Sequence, residues 1–279
     1  MIKRTVFPAK GEPNVDGEHW LDPVIREQLA AKPRTGDFFR DYNPSPKSID
    51  IFAARKGATV GIDISTGITA HNINVPCADH YIPGIMYQGK YRNRNLILYL
   101  HGGGFMVGSA EHKDAQCRYL TQVSGSTVLS VDYRLAPENP FPAAIQDTVE
   151  SLRYCSGLPH TKLVIGGDSA GACLAANAIM QGGIPVDYAF FIYGAFDLES
   201  YDHMYDPWSY SFYECMEEER DLIYNRLNRF RKLAVDVKKL YLQNKIAADN
   251  EIVSPAYAKT FYGFPKSLFV IAEYDYYRF

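Results

Sequence analysis

Five residues, Gly167-Asp168-Ser169-Ala170-Gly171, constrain this chain more than any others. They follow the apolar run Leu163-Val164-Ile165 and open the small-residue stretch Ala170-Gly171-Ala172-Cys173-Leu174-Ala175-Ala176. A Gly-x-Ser-x-Gly at a strand-to-helix junction is a bend so tight that its flanking positions must lack bulk, which accounts for Gly167 and Gly171. Such a bend lifts the central serine above the strand ends, with the positive end of a helix dipole beneath it. Ser169 is therefore the candidate nucleophile, and Asp168 belongs to the motif that supports it.

The rest of the chain repeats the setting this bend needs. Compact apolar runs occupy 95–100, 127–133, 162–167, 188–193 and 267–272, with helical patterns over about 113–124, 142–156 and 170–182. Runs without polar alternation suit strands covered on both faces, hence a largely parallel sheet in an α/β layer structure. Ahead of them, Ile68 to Val75 and His80 to Tyr87 read as paired strands with a turn near Ala78-Asp79. Between Glu199 and Ile252 no strand signal occurs. There Ile223, Leu227, Phe230, Leu233, Val237 and Leu240 form one apolar stripe at helical spacing, as expected of a lid helix beside the carboxyl ends of the strands. The first 48 residues are polar and broken by prolines, with short helices expected over Asp22–Ala31 and Ser48–Lys56. The expected division is an N-terminal arm and part of a cap over 1–58, then an α/β domain over 59–279 carrying a cap insertion at about 199–252.

A second chemical motif follows the first parallel run: His101-Gly102-Gly103-Gly104-Phe105. Three glycines let backbone N–H groups come close to a reacting carbonyl, so Gly102, Gly103 and Gly104, with the amide of Ala170, are candidate oxyanion donors. A phosphate loop would want Lys-Ser/Thr after the glycines, and Phe105-Met106 stand there instead. His101 reads as an organiser of this loop rather than a base.

Bulk properties exclude several classes. A formal net charge of −3 gives no footprint for nucleic acid. Five scattered cysteines, with no Cys-x-x-Cys or Cys/His cluster, indicate neither a disulfide framework nor a metal site, and favour a reducing compartment. The chain start lacks the apolar segment of a secretory signal, and no apolar run approaches membrane-spanning length, so a cytoplasmic location is expected.

Taken together, His101-Gly102-Gly103-Gly104-Phe105, Asp132-Tyr133-Arg134-Leu135-Ala136-Pro137-Glu138, Phe141-Pro142-Ala143-Ala144, Gly167-Asp168-Ser169-Ala170-Gly171, Ser254-Pro255 and Ala272-Glu273-Tyr274-Asp275 resemble the hormone-sensitive-lipase branch of the α/β-hydrolases, the acetyl-esterase and carboxylesterase group. The resemblance spans roughly 70–279. It implies an α/β-hydrolase fold with a helical cap, a small-molecule ester substrate, and neither metal nor cofactor. It also implies Asp275 as the acid that orients a histidine, and a structural role for Asp132 and Arg134, paired or capping. The implied order is serine, acid, histidine, yet the four residues after Asp275 include no histidine. The expectation is a C-terminally truncated member, with its last strand and helix missing, activity low or lost, and an exposed edge strand at 267–272 that promotes poor solubility or a homodimer. The alternatives are a non-catalytic small-molecule-binding protein on the same fold and an arylformamidase-like amide hydrolase.

Overall fold

The computed structural model describes residues 26–27, 30, 51–56, 60–199 and 209–278. The chain enters through a short helix α1 (Ile51–Lys56). It then builds β1 (Ile68–Pro76), β2 (Tyr81–Gly89), β3 (Leu96–Leu100), α2 (Asp114–Ser124), β4 (Thr127–Val131), α3 (Ala143–Gly157), β5 (Leu163–Asp168), α4 (Ala170–Gly182), β6 (Tyr188–Ile192), α5 (Arg220–Asp236) and β7 (Lys266–Val270). The strand order is β1-β2-β4-β3-β5-β6-β7. The β1/β2 and β2/β4 pairs are antiparallel and all later pairs are parallel. Each of the five apolar runs has become a strand of one mostly parallel sheet. The expected helix over Asp22–Ala31 lies largely outside the described residues.

Strand alternation divides the core between two faces. From β3, Leu96, Leu98 and Leu100 join Leu129, Ile165 and the helices α3 and α4 in the larger core. Ile97 and Tyr99 point the other way, to Tyr87, Val128 and Cys117 of α2. Helix α4 is made of small residues because it runs against the sheet centre, and residues Ala170 to Ala178 are all buried. It ends at Gly183, whose φ of 61° supplies the left-handed cap.

The apolar stripe of the 199–252 segment is observed. Ile223, Leu227, Leu233 and Val237 are buried, and Phe230 and Leu240 partly so. The helix starts at Arg220, after a 3-10 turn at Glu217–Glu219, and finishes as a π-helical turn over Val237–Leu242. None of the described helices is long and apolar enough to cross a membrane.

Candidate active site

The parallel register sets Leu100 of β3 beside Gly167 of β5, so the loop leaving β3 and the bend leaving β5 emerge side by side at the carboxyl edge of the sheet. Contact there is close. A Cβ on Gly167 or Gly171 would collide with the carbonyl oxygen of Leu100, and one on Gly171 would also lie 2.6 Å from that of His101. Only hydrogen fits at either position.

Ser169 occupies the bend with φ 53° and ψ −118°, a conformation that non-glycine residues rarely adopt and that marks strain kept for a purpose. Its backbone is held on both sides by the segment leaving β6: Ser169 N–H donates to the Ile192 carbonyl (2.9 Å), and the Ala195 N–H donates to the Ser169 carbonyl (3.3 Å). The residue is partly exposed, while its neighbours Asp168 and Ala170 are buried. The Ser169 hydroxyl has no hydrogen-bond partner among the described residues.

The glycine loop is organised by its ends. Gly103 takes φ 135°, and its carbonyl accepts from the N–H groups of Met106 (3.1 Å) and Val107 (3.0 Å). A side chain there would run into the Val107 carbonyl. The N–H groups of Gly103 and Gly104 have no acceptor among the described residues, nor does that of Ala170 at the first turn of α4. Gly102 corrects the expectation. Its N–H donates to Asp168 Oδ1 (3.1 Å), so it is committed to a carboxylate and is not available as an oxyanion donor.

His101 is fully buried, and burial pushes its imidazole below the usual histidine value, toward the neutral form. Its ring lies flat against Tyr133, with centroids 4.3 Å apart. Nδ1 donates to the Gly102 carbonyl (2.9 Å), and the Tyr133 hydroxyl donates to the His101 carbonyl (2.6 Å). These bonds make it part of the loop's frame.

Asp275 sits past the end of β7, one strand beyond β6. Its Oδ1 accepts from Tyr277 N–H (2.9 Å), and its carbonyl accepts from the Tyr213 hydroxyl (2.8 Å). Desolvation raises its carboxyl above the usual range, against the bond from Tyr277 and the charge of Arg226. Asp275 lines an apolar cavity of about 570 Å³ with Phe191, Tyr193, Phe196, Phe269 and Tyr277, and neither Ser169 nor the glycine loop contributes to its wall. Of the residues expected at the site, the serine bend and the glycine loop are therefore in direct contact, and Asp275 follows β7, with β6 between it and the strand that carries Ser169.

Of the seven histidines, His19 and His203 lie outside the described residues. His80 is bonded to Asp79 and Asp147, His112 to Ser109 and His160 to the Leu158 carbonyl. None of the described histidines is hydrogen-bonded to Ser169 or Asp275.

Several contacts of the site escaped the sequence reading. Asp168, 4% exposed, accepts not only from Gly102 but also from the Tyr99 hydroxyl (2.8 Å) and from Lys113 Nζ (2.8 Å). Its charge drives the Tyr99 phenol further above its usual value, on top of burial. Leu233 of the 199–252 segment reaches the glycine loop, its Cδ1 3.5 Å from where a Gly104 Cβ would stand. Tyr241 of the π-turn stacks on Phe105 at 4.2 Å and 3°. From the N-terminal side, Arg55 donates to the Met106 and Ala136 carbonyls (2.9 Å each) and pairs with Glu138. Arg134 pairs with the buried Asp147 (2.7 Å), and Asp132 accepts from Ala110 N–H (2.6 Å).

The alpha/beta hydrolase fold family matches residues 97–278 of this chain. An arylesterase of Saccharolobus solfataricus is 28% identical over 219 residues, which is 73% of this chain and 65% of that protein. Esterase LipI of Mycobacterium tuberculosis is 40% identical over 101 residues, 33% of this chain and 32% of its own length. The chain thus spans less than two thirds of either relative. Among solved structures, a hyperthermophilic esterase from the archaeon Pyrobaculum calidifontis superposes with a TM-score of 0.69 at 26% identity, covering 92% of this chain and 82% of the other. With its parallel sheet, serine bend and adjoining glycine loop, the chain belongs to the alpha/beta-hydrolase family, in its hormone-sensitive-lipase-like branch.

Proposed function

We propose that this chain is a carboxylesterase-type serine hydrolase acting on small-molecule esters through an acyl-enzyme. The observation that carries this reading is the strained Ser169 backbone held against a glycine loop with two unclaimed N–H groups. Ser169 Oγ attacks the acyl carbon, and the carbonyl oxygen, now an oxyanion, is received by the amides of Gly103, Gly104 and Ala170. Each such donor is worth on the order of 3 kcal/mol to the transition state. The proton leaving Ser169 passes to a base and then to the departing alcohol, and water releases the acyl group by the same steps in reverse order. Asp275 is the acid of this scheme. Because none of the described histidines is hydrogen-bonded to Ser169 or Asp275, turnover by these residues alone is slow, with about 10³ to 10⁴ of acceleration over water left by binding and the oxyanion donors.

The test is hydrolysis of p-nitrophenyl acetate by the wild type and Ser169→Ala, with and without added imidazole as a replacement base. Wild-type turnover is expected to be slow, to vanish in Ser169→Ala, and to rise about tenfold with imidazole only when Ser169 is present. Equal rates for the two proteins under both conditions would remove Ser169 from any catalytic account. The unpartnered Ser169 hydroxyl also favours a second reading, a non-catalytic protein that binds small molecules beside the same serine bend. That reading requires ligand binding with no turnover.

We further propose that residues 1–58 and the 199–252 insertion form a cap over the 59–279 domain, supported by Arg55, Leu233 and Tyr241 at the glycine loop. The five free cysteines support a reducing, cytoplasmic setting. The exposed apolar side chains of β7 support a homodimer paired along that strand.

A further inference from the structure

We propose that Lys113 is a positioning residue for this site, acting through Asp168 to fix the glycine loop so that Gly103 and Gly104, and not Gly102, present their amides to the substrate. The inference rests on the serine-hydrolase reading but is tested apart from it.

The contacts form a chain of three links. Lys113, just ahead of α2, reaches across the β3 exit to Asp168 Oδ2 (2.8 Å). Asp168 Oδ1 is shared by the Tyr99 hydroxyl (2.8 Å) and Gly102 N–H (3.1 Å). Gly102 in turn rests directly on Asp168, since a Cβ at Gly102 would stand 2.5 Å from Oδ2 and 2.8 Å from the Asp168 carbonyl. Holding Gly102 N–H fixes the His101–Gly102 peptide plane, and His101 Nδ1 on the Gly102 carbonyl (2.9 Å) fixes the next one, which leads into Gly103 with its φ of 135°.

The arrangement also answers an electrostatic problem. Asp168 is adjacent to the nucleophile and nearly buried, so an uncompensated carboxylate there would repel the oxyanion that the same loop must receive. A cation on Oδ2 leaves Oδ1 free to hold the loop while cancelling the charge.

The experiment compares the full chain as wild type, Lys113→Arg, Lys113→Met and the double variant Lys113→Met/Asp168→Asn. Amide hydrogen exchange is followed across residues 102–107 by mass spectrometry. Labelling of Ser169 by a fluorophosphonate is followed by intact mass. Lys113→Met is expected to exchange about tenfold faster over 102–107 and to label about tenfold more slowly. Lys113→Arg should stay near wild type. The double variant, which removes the stranded charge yet keeps an oxygen for Gly102 N–H, should recover wild-type exchange to within about twofold. Unchanged exchange in Lys113→Met, or a double variant no better than the single one, overturns the proposal. If Lys113→Met does not fold, the double variant decides: wild-type protection supports the relay and unprotected amides overturn it. If the wild type labels no faster than Ser169→Ala, ester hydrolysis at Ser169 falls, and the exchange comparison alone judges the relay.

Discussion

Asp236 ends α5 buried, at 5% exposure, and its Oδ2 has no hydrogen-bond partner among the described residues. Desolvation lifts its carboxyl from the ordinary 3.8 to about 6, with Lys239 offsetting part of the effect. A carboxyl raised in the folded state favours folding while it is protonated in both states, below about pH 4. That contribution is lost as pH climbs through 6 and the buried group must ionise. Asp236→Asn is therefore expected to raise Tm at pH 8 by about 2–4 °C, equivalent to about 1 kcal/mol after solvent screening, and to leave Tm at pH 4 unchanged. A gain of equal size at both pH values would contradict this origin. At this scale the sequence was informative wherever function is written into adjacent residues. Ser169, Gly167, Gly171 and the loop at 101–105 depend on local bends, which only a few residue types can make. The partners of Asp168 and Asp147 were not legible, because Lys113, Tyr99 and Arg134 meet them through the fold and carry no local signal. Gly102 was misassigned for the same reason: its acceptor lies 66 residues away.

Among the elements, β3 and β5 approach at their ends without a side chain between them, and the start of α4 lies on the same spot. Gly171→Ala is expected to push α4 away from the Leu100 carbonyl and to cost about 1–3 kcal/mol, read as a lower urea midpoint with an unchanged slope. An unaltered midpoint would mean that the contact gives way freely. The strands and the helices α2, α3 and α4 were readable because apolar runs and helical patterns alternate without ambiguity. The apolar stripe of the 199–252 segment was readable from its spacing, but its π-helical finish was not. That turn is set by Tyr241 packing on Phe105 and Phe141, contacts that lie more than 99 residues back along the chain by the numbering of the partners.

For the whole molecule, β7 is the outermost strand of the described sheet, and Leu268, Phe269, Val270 and Ile271 are 42–61% exposed. Four neighbouring apolar residues beside an unpaired strand edge form a surface that seeks cover. Leu268→Lys, which leaves the Phe269 contacts to Phe191 and Phe196 in place, is expected to shift the protein toward the monomer in light scattering. A wild type that is already a monodisperse monomer would refute the proposed pairing. The order of elements along the chain was plain from the sequence, whereas the apolar cavity beside Asp275 was not, because Phe191, Phe196 and Phe269 meet there only through the fold.

The stitching of Ser169 to Ile192 and Ala195 carries a last consequence. The Ser169 hydroxyl has no mooring of its own among the described residues; its backbone is tied to the two ends of a short detour, Tyr193-Gly194. Gly194 leaves no slack there, because anything larger would press on the Phe196 ring. Drift in that short detour would shift the Ser169 backbone from behind, without changing a single residue of the glycine loop in front of it.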